Sequence, residues 1–389
     1  EYPGLTRRGG AYYFAFDLPQ SVWSSTIGKP VLKPSNGFPV GRTPDTRILP
    51  LDYDTRIAYN DYYLYLLQAI LYEAGTPLLH RLPPMADGQA PDLLLYCGGD
   101  DDACDPQITL DAFKAMNGVG LPYHVNLMPK GPDGNAFALD GKAAAQLRSP
   151  EREFSLHYDF VSGFDACDEA GYRRQFDRYL KEYGVSPVCQ VAHCAGMMGW
   201  TEHYRYMAEL GIRGDHFHGA EVDLEDPGNI NAFNLYGFAF GTAFPAFVYD
   251  DAAHGNERIR FLNLPACYYE PRLRGAGDDA TREKLRRCLE DAIAFGRPVQ
   301  LFLHPHYVSG HMEKQEIVLG AVRELLGACE ERGARVLKDT PDGVTLWWLD
   351  RADSRLEPGA ADVTRVHSAA RRGLIVRFPW VEGERFLVN

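Results

Sequence analysis

Four short apolar runs in this chain end in side chains that can hold a cation or move a proton. CGGDDD carries Asp100, Asp101 and Asp102, LHYD carries His157 and Asp159, VAHC carries His193, and LFLHPHY carries His304 and His306. Carboxylates and imidazoles are the ligands and proton carriers of metal-assisted hydrolysis, and a divalent-metal site with an open position needs several of them from separate segments. Three consecutive aspartates can be a solvated turn. Here they follow a glycine pair directly after an apolar run, where flexible backbone would let carboxylates turn into a cleft. Pro305 stops strand pairing just after His304 and is expected to hold that imidazole at a rim, while His306, two residues on, is placed to cap a pocket. Trp200, after the glycines of AGMMGW, suits either a sugar-stacking platform or a core position, so Trp200 and His306 are candidate substrate contacts. His216 and His218 alternate near Asp215 and Glu221, which leaves open a second metal site or one solvated and one packed imidazole.

The elements that must position these residues are legible from about residue 90 onward. Short apolar runs alternate with amphipathic stretches of helical spacing, the pattern of βα units and a parallel sheet. LLLY (93 to 96) precedes a helix near 106 to 117, and PYHVNLM (122 to 128) precedes one near 140 to 147. FSLHYD (154 to 159) precedes a helix near 169 to 183 that Gly184 stops, and VCQVAH (188 to 193) precedes one near 201 to 210. RGDHFH begins a further strand. A helix near 281 to 295, VQLFLH (299 to 304), a helix near 314 to 332 and ARVLK complete the series. Seven or eight such strands imply an α/β chain built as a distorted (β/α)7-8 barrel, with active-site groups at the carboxyl ends of its strands. The expected organisation is an N-terminal α/β or accessory region over 1–88, the barrel over 89–345, and a small β addition over 346–389.

Composition narrows the function. The chain has 389 residues, 45% hydrophobic and 24% charged, an ordinary globular balance that excludes wholesale disorder. Forty basic against 53 acidic residues give a formal charge of -13, so nucleic acid and anionic membranes are disfavoured partners. No span reads as a membrane helix; the uncharged stretch 227–249 carries asparagines, glycines and a proline, and reads as a buried irregular segment. The eight cysteines form no CxxC pair and read as buried thiols.

With these residues in place, the chain resembles the NodB-type polysaccharide deacetylases, carbohydrate esterase family four and its distant relatives. The resemblance runs over roughly residues 90 to 348. It rests on the Asp pair followed by DPQITLDAFKAMNGVGLPYHVNL, on FSLH, on VAHC leading to ELGIRGD, on LFLH and on a final GVTLWW. It implies a distorted (β/α)7 barrel that removes acetyl groups from an N-acetylated carbohydrate with a bound zinc or similar divalent ion. By position, Asp100 would be the general base, Asp101 and His157 metal ligands and His304 the general acid; Asp101 with Asp102 is the alternative register. The family's second metal histidine lies four residues after the first, where this chain has Val161, and His193 is expected to supply that ligand; the arginine that orients the base is absent from QVAHCAG. Those departures leave two other readings open, a glycan-binding barrel without catalysis and a small-molecule amide or ester hydrolase. A polymer substrate would place the protein outside the cytoplasm.

Overall fold

The computed structural model describes residues 4–34, 37–48, 54, 57–219, 237–270, 279–358, 364–380 and 384–387. Its centre is a curled, mostly parallel sheet. The strands are β1 (Leu93–Asp100), β2 (Tyr123–Leu127), β3 (Arg152–Tyr158), β4 (Cys189–Ala192), β5 (Gly214–Asp215), β6 (Ala246–Tyr249), β7 (Arg258–Asn263), β8 (Tyr268–Tyr269), β9 (Pro298–Phe302) and β10 (Val336–Asp339). They run in the order β6-β7-β5-β4-β3-β2-β1-β9-β8, with β10 also pairing β1; only β6 with β7 is antiparallel. The two ends of this path, β6 and β8, are not joined by strand pairing among the described residues, so the expected barrel is a distorted, incompletely closed one.

β1 is buried along its whole length, as a parallel strand covered on both faces should be. Alternate side chains serve two cores. Leu93, Leu95 and Cys97 pack with Ala112, Phe113 and Met116 of the helix Pro106–Gly118, whereas Leu94 and Tyr96 pack with Phe244, Trp347 and Leu374. The covering helices begin and end where their sequences say they should. Asp105 and Asp168 accept the capping bonds of Gln107 and Gly171 through their side chains, and Gly184 ends the helix Glu169–Tyr183 at φ 66.

Three expectations change. The RGDHFH strand shrinks to Gly214–Asp215, because Asp215 turns back to accept from the Phe217 amide. Trp347 and Trp348 are buried on a helix, Pro341–Asp353, that runs through the expected 345/346 boundary; Thr340 caps it and Pro341 opens it. The glycine pair is also not a source of flexibility. A Cβ on Gly98 would lie 2.5 Å from the His216 ring and one on Gly99 1.8 Å from the Leu303 carbonyl oxygen, so these glycines let backbone and ring pack tightly against the strand.

The N-terminal region is built against the barrel. Val31 bridges Gly199 and Gly41 bridges Met197, while Leu78–Leu79 pairs with the C-terminal strand Leu374–Arg377. No described helix is long and apolar enough to cross a membrane. The seven described cysteines are free, as expected. The Cys288 side chain, Glu221 and residues 227–236 of the uncharged stretch lie outside what is described, and residues 237–248 of that stretch are mostly buried.

Candidate active site

Strand register brings the predicted side chains together. Phe302 of β9 lies opposite Gly98 of β1, so two residues further along both strands His304 arrives beside Asp100. His157 lies opposite Val191 and Tyr158 opposite Ala192, which sets His193 beside Asp159. The strand ends at Asp100, and the left-handed turn that starts at Asp102, φ 45, sorts the aspartate run. Asp100 and Asp102 face the cluster. Asp101 does not; its Oδ1 accepts from the Met128 amide at 2.8 Å and the Ala103 amide at 3.1 Å, and burial pushes its carboxyl up to about 7. The expectation that Asp101 joins His157 and His193 around one cation is therefore replaced by Asp100 and Asp102 as the carboxylates of the cluster.

Distances define its centre. His157 Nε2 is 3.1 Å from Asp100 Oδ2 and 3.6 Å from Asp102 Oδ1, His193 Nε2 is 3.9 Å from Asp102 Oδ1, and His304 Nε2 is 2.5 Å from Asp100 Oδ1 and 3.7 Å from Asp102 Oδ2. Asp100, Asp102 and His304 offer ligand atoms that all lie within 4.8 Å of one another. His157 is wholly buried, whereas the Asp102 side chain is 36% exposed and forms the opening to solvent.

The tautomers follow from the other ring nitrogens. His157 Nδ1 is 3.0 Å from the Val191 carbonyl oxygen, which can only accept, so Nδ1 carries the proton and Nε2 of the neutral ring is a lone pair. His193 Nδ1 likewise donates to Asp159 Oδ1 at 3.1 Å. Asp159 is held for that task by the Val161 and Ser162 amides, and although burial opposes it, the His193 and Ser162 hydrogen bonds bring its carboxyl down to about 2. With Nδ1 engaged on both rings, His157 Nε2 and His193 Nε2 face carboxylate oxygens, and burial is outweighed by those carboxylates, which draw both rings toward the protonated form; a proton on each Nε2 or one cation between them answers the same charge. His157 Nε2 and Asp100 Oδ1 are buried and make no hydrogen bond of acceptable geometry despite charged neighbours close by. That is the arrangement of donors converging on a cation, with Asp159 in the supporting place that orients a histidine ligand. The residues present therefore fit a divalent ion.

His304 is held differently. Its amide and Nδ1 both lie 2.5 Å from Glu270 Oε1, so a buried carboxylate grips the ring from behind while Nε2 faces Asp100. Burial favours the neutral ring, but the Asp100 charge and the hydrogen bonds of Asp100 and Glu270 outweigh it, and His304 keeps its proton well above the usual imidazole range. The same contest holds Asp102 down: burial resists, and the neighbouring His157, His304 and His193 rings prevail. His193 is raised to about 11, because its bonds to Asp159 and Cys194 exceed the cost of burial.

The backbone around the cluster is strained. Six described non-glycine residues have positive φ, and five of them, Asp102, Ala103, Cys194, Ala195 and Glu270, lie on the loops that carry these side chains. Each such conformation costs on the order of 1–3 kcal/mol and persists where packing over-determines it.

The remaining candidates fall elsewhere. His306 sits half-buried on the short helix Pro305–Val308; burial lowers its pKa, with His304 and His311 adding to the effect and Asp102 and Asp100 opposing it. The Trp200 ring packs edge-on against Trp23 at 5.5 Å between centroids. His216 and His218 build no second metal site among the described residues and neither is solvated. His216 bonds Asn126 at 2.9 Å inside the barrel, and His218 bonds the Thr26 carbonyl oxygen while stacking on Phe240. Glu270 went unnoticed in the sequence, although it ends an apolar run, ACYYE, as the other site residues do.

The fold and this mouth define an incompletely closed (β/α) barrel with a carboxylate–imidazole centre at the carboxyl ends of its strands. Among solved structures, the chain is similar to a candidate polysaccharide deacetylase of O-antigen biosynthesis from Bordetella bronchiseptica, at 15% identity over 66% of this chain and 90% of that one, with a TM-score of 0.36. It is also similar to a candidate polysaccharide deacetylase from Mycobacterium smegmatis, at 14% identity over 68% and 98% of the two chains and a TM-score of 0.36. A third is a family 4 acetyl xylan esterase from Clostridium thermocellum in complex with a cobalt ion, at 10% identity over 64% and 89% and a TM-score of 0.32. No family model matches the chain, and no curated protein matches it.

Proposed function

We propose that this protein is a metal-dependent carbohydrate N-deacetylase. The observation that carries the reading is the convergence of two imidazoles, each held through Nδ1, whose Nε2 atoms face the carboxylate of Asp102. Asp102, His157 and His193 would hold a divalent ion, zinc first among the candidates, which when bound lowers the pKa of a water and polarises an amide carbonyl. His193 would take the place of the ligand missing at Val161. Asp100, between His157 and His304, is set to accept the water proton. His304, protonated and gripped by Glu270, is set to deliver a proton to the leaving amine. The Glu270 grip keeps the His304 Nε2 side facing the mouth throughout, and burial of Asp100 and His304 keeps bulk water from competing for that proton. For a polymeric substrate the place of action would be outside the cytoplasm.

The test is acetate release from N-acetylated glycans, chitin oligomers and peptidoglycan fragments among them, with and without chelation. Metal-dependent release that is lost in Asp100→Asn supports the reading. Glycan binding with no acetate released under any metal supply would overturn it in favour of a non-catalytic glycan module.

A further inference from the structure

A second concavity lies away from the mouth, between the helix Leu18–Ile27, the helix Tyr59–Glu73, β6 and the helix Pro341–Asp353. It has a volume of about 530 Å³, within the range of roughly 300–1,000 Å³ typical of ligand sites. Val22, Trp23, Leu64, Phe244, Phe247 and Trp348 make its walls largely apolar. The amide and aliphatic hydroxyl side chains that line it, Asn60, Thr26 and Thr242, are already engaged. Asn60 Nδ2 donates to Ser25, Thr26 and the Phe240 carbonyl oxygen, Thr26 donates to the Val22 carbonyl oxygen, and Thr242 donates to Asp61.

Two guanidinium groups are the exception. Arg81 and Arg351 both line the concavity, and among the described residues neither has a carboxylate within ion-pair distance. Arg81 stacks on Tyr65 and Phe244 at 4.6 and 4.8 Å, and its Nη1 is buried with no hydrogen-bond acceptor. Arg351 stacks on Trp348 at 5.1 Å and spends Nε and Nη2 on the carbonyl oxygens of His80 and Leu79. The nearby carboxylate of Asp61 is taken by Thr242, the Ala243 amide and Arg297. Two half-buried cations, one with an unanswered donor, at the edge of an apolar groove describe a receptor for a negative head on an apolar tail. Beyond the arginines, the Trp348 indole Nε1 is buried without an acceptor, which adds a further donor to the lining.

We propose that this groove binds an anionic single-chain amphiphile, its alkyl chain along Val22, Trp23 and Phe247 and its carboxylate or phosphate head on Arg81 and Arg351. The site is independent of the mouth and of the reaction proposed there. Hydrogen bonds from a charged donor are worth enough that removing one guanidinium should weaken binding by tenfold or more.

Titration of the full chain with laurate and with dodecyl phosphate, followed by the fluorescence of Trp23 and Trp348 and by calorimetry, tests this. Saturable binding of either probe is expected, at least tenfold weaker in Arg81→Met and in Arg351→Met. Val22→Trp, which fills the groove without touching an arginine, should abolish binding and keeps the test decisive if an arginine variant fails to fold. A preference for laurate identifies a carboxylate ligand and a preference for dodecyl phosphate a phosphate one. The proposal is overturned if neither probe saturates below its micelle concentration, if dodecanol binds as tightly as both, or if folded variants bind like the wild type.

Discussion

At the carboxyl ends of the strands, His157 and His193 turn Nε2 toward Asp102, whereas at the amino ends His124 meets Glu153 and Asp342 in a cluster of the same residue types that closes on itself. His124 Nε2 donates to Ser155 at 2.7 Å, Ser155 donates on to Asn126, and His124 Nδ1 faces Glu153 Oε2 at 3.1 Å. Burial pushes Glu153 up to about 7 and keeps His124 neutral, so the Glu153 carboxyl can present a proton to the His124 lone pair. Asp342, raised to about 6, accepts from the Cys189 amide. At the mouth no carboxyl is free to do this for His157, because Asp102 is held ionised. None of the positive-φ residues at the mouth has a counterpart in the basal cluster. Identical side chains thus serve packing where the histidine stays neutral and its partners protonated, and chemistry where charged carboxylates and imidazoles, strained backbone and a path to solvent coincide.

The largest effect that would sharpen this contrast is on turnover. His304→Ala should lower kcat by about 10²–10⁴-fold, the range of a general acid, while leaving bound metal in place. Steady-state acetate release with metal analysis of the same sample checks it. Next, Asp159→Ala should weaken metal affinity by roughly 10–100-fold, as loss of a supporting carboxylate does, readable by competition with a chelating dye. At the base the consequence is stability alone. His124→Leu strands Ser155 and Glu153 and should cost about 1–3 kcal/mol in urea unfolding, with metal content and activity per folded molecule unchanged. If His124→Leu instead removed the metal, the contrast would be broken.

The smallest effect is a pH dependence. Glu153 is raised from an ordinary 4.5 to about 7 in the folded chain, so its contribution to stability is full below about 4.5 and is lost as pH rises through about 7. Asp342 acts with the same sign up to about 6, and neutral His124 acts oppositely on acidification. Glu153→Gln, whose amide can donate to His124 at every pH, should flatten the loss between pH 4.5 and 7 and leave the variant more stable than wild type at pH 8, by on the order of 1–3 kcal/mol. Melting temperatures across that range provide the check.

Much of the mouth was legible because parallel strands buried on both faces are plain apolar runs, and whatever polar residue ends such a run faces one rim. His157, His193 and His304 were found that way. The aspartate register was not readable, because the strand ends at Asp100 and a left-handed turn at Asp102, φ 45, sets which carboxylates face the mouth. Glu270 escaped because β8 has only two residues, too few for a pattern. The basal cluster could not be read, because His124, Glu153 and Asp342 are brought together by register and by a helix start far along the chain. The two arginines of the apolar groove were invisible for the same reason.

The central claim is that Asp102, His157 and His193 hold one divalent ion at the mouth. Metal content by plasma mass spectrometry after dialysis against a trace of zinc tests it most directly. About one equivalent is expected in the wild-type chain and in Asp342→Asn, and essentially none in Asp102→Asn or His157→Ala. An equivalent of metal retained by both mouth variants, or lost with the basal one, would contradict the account.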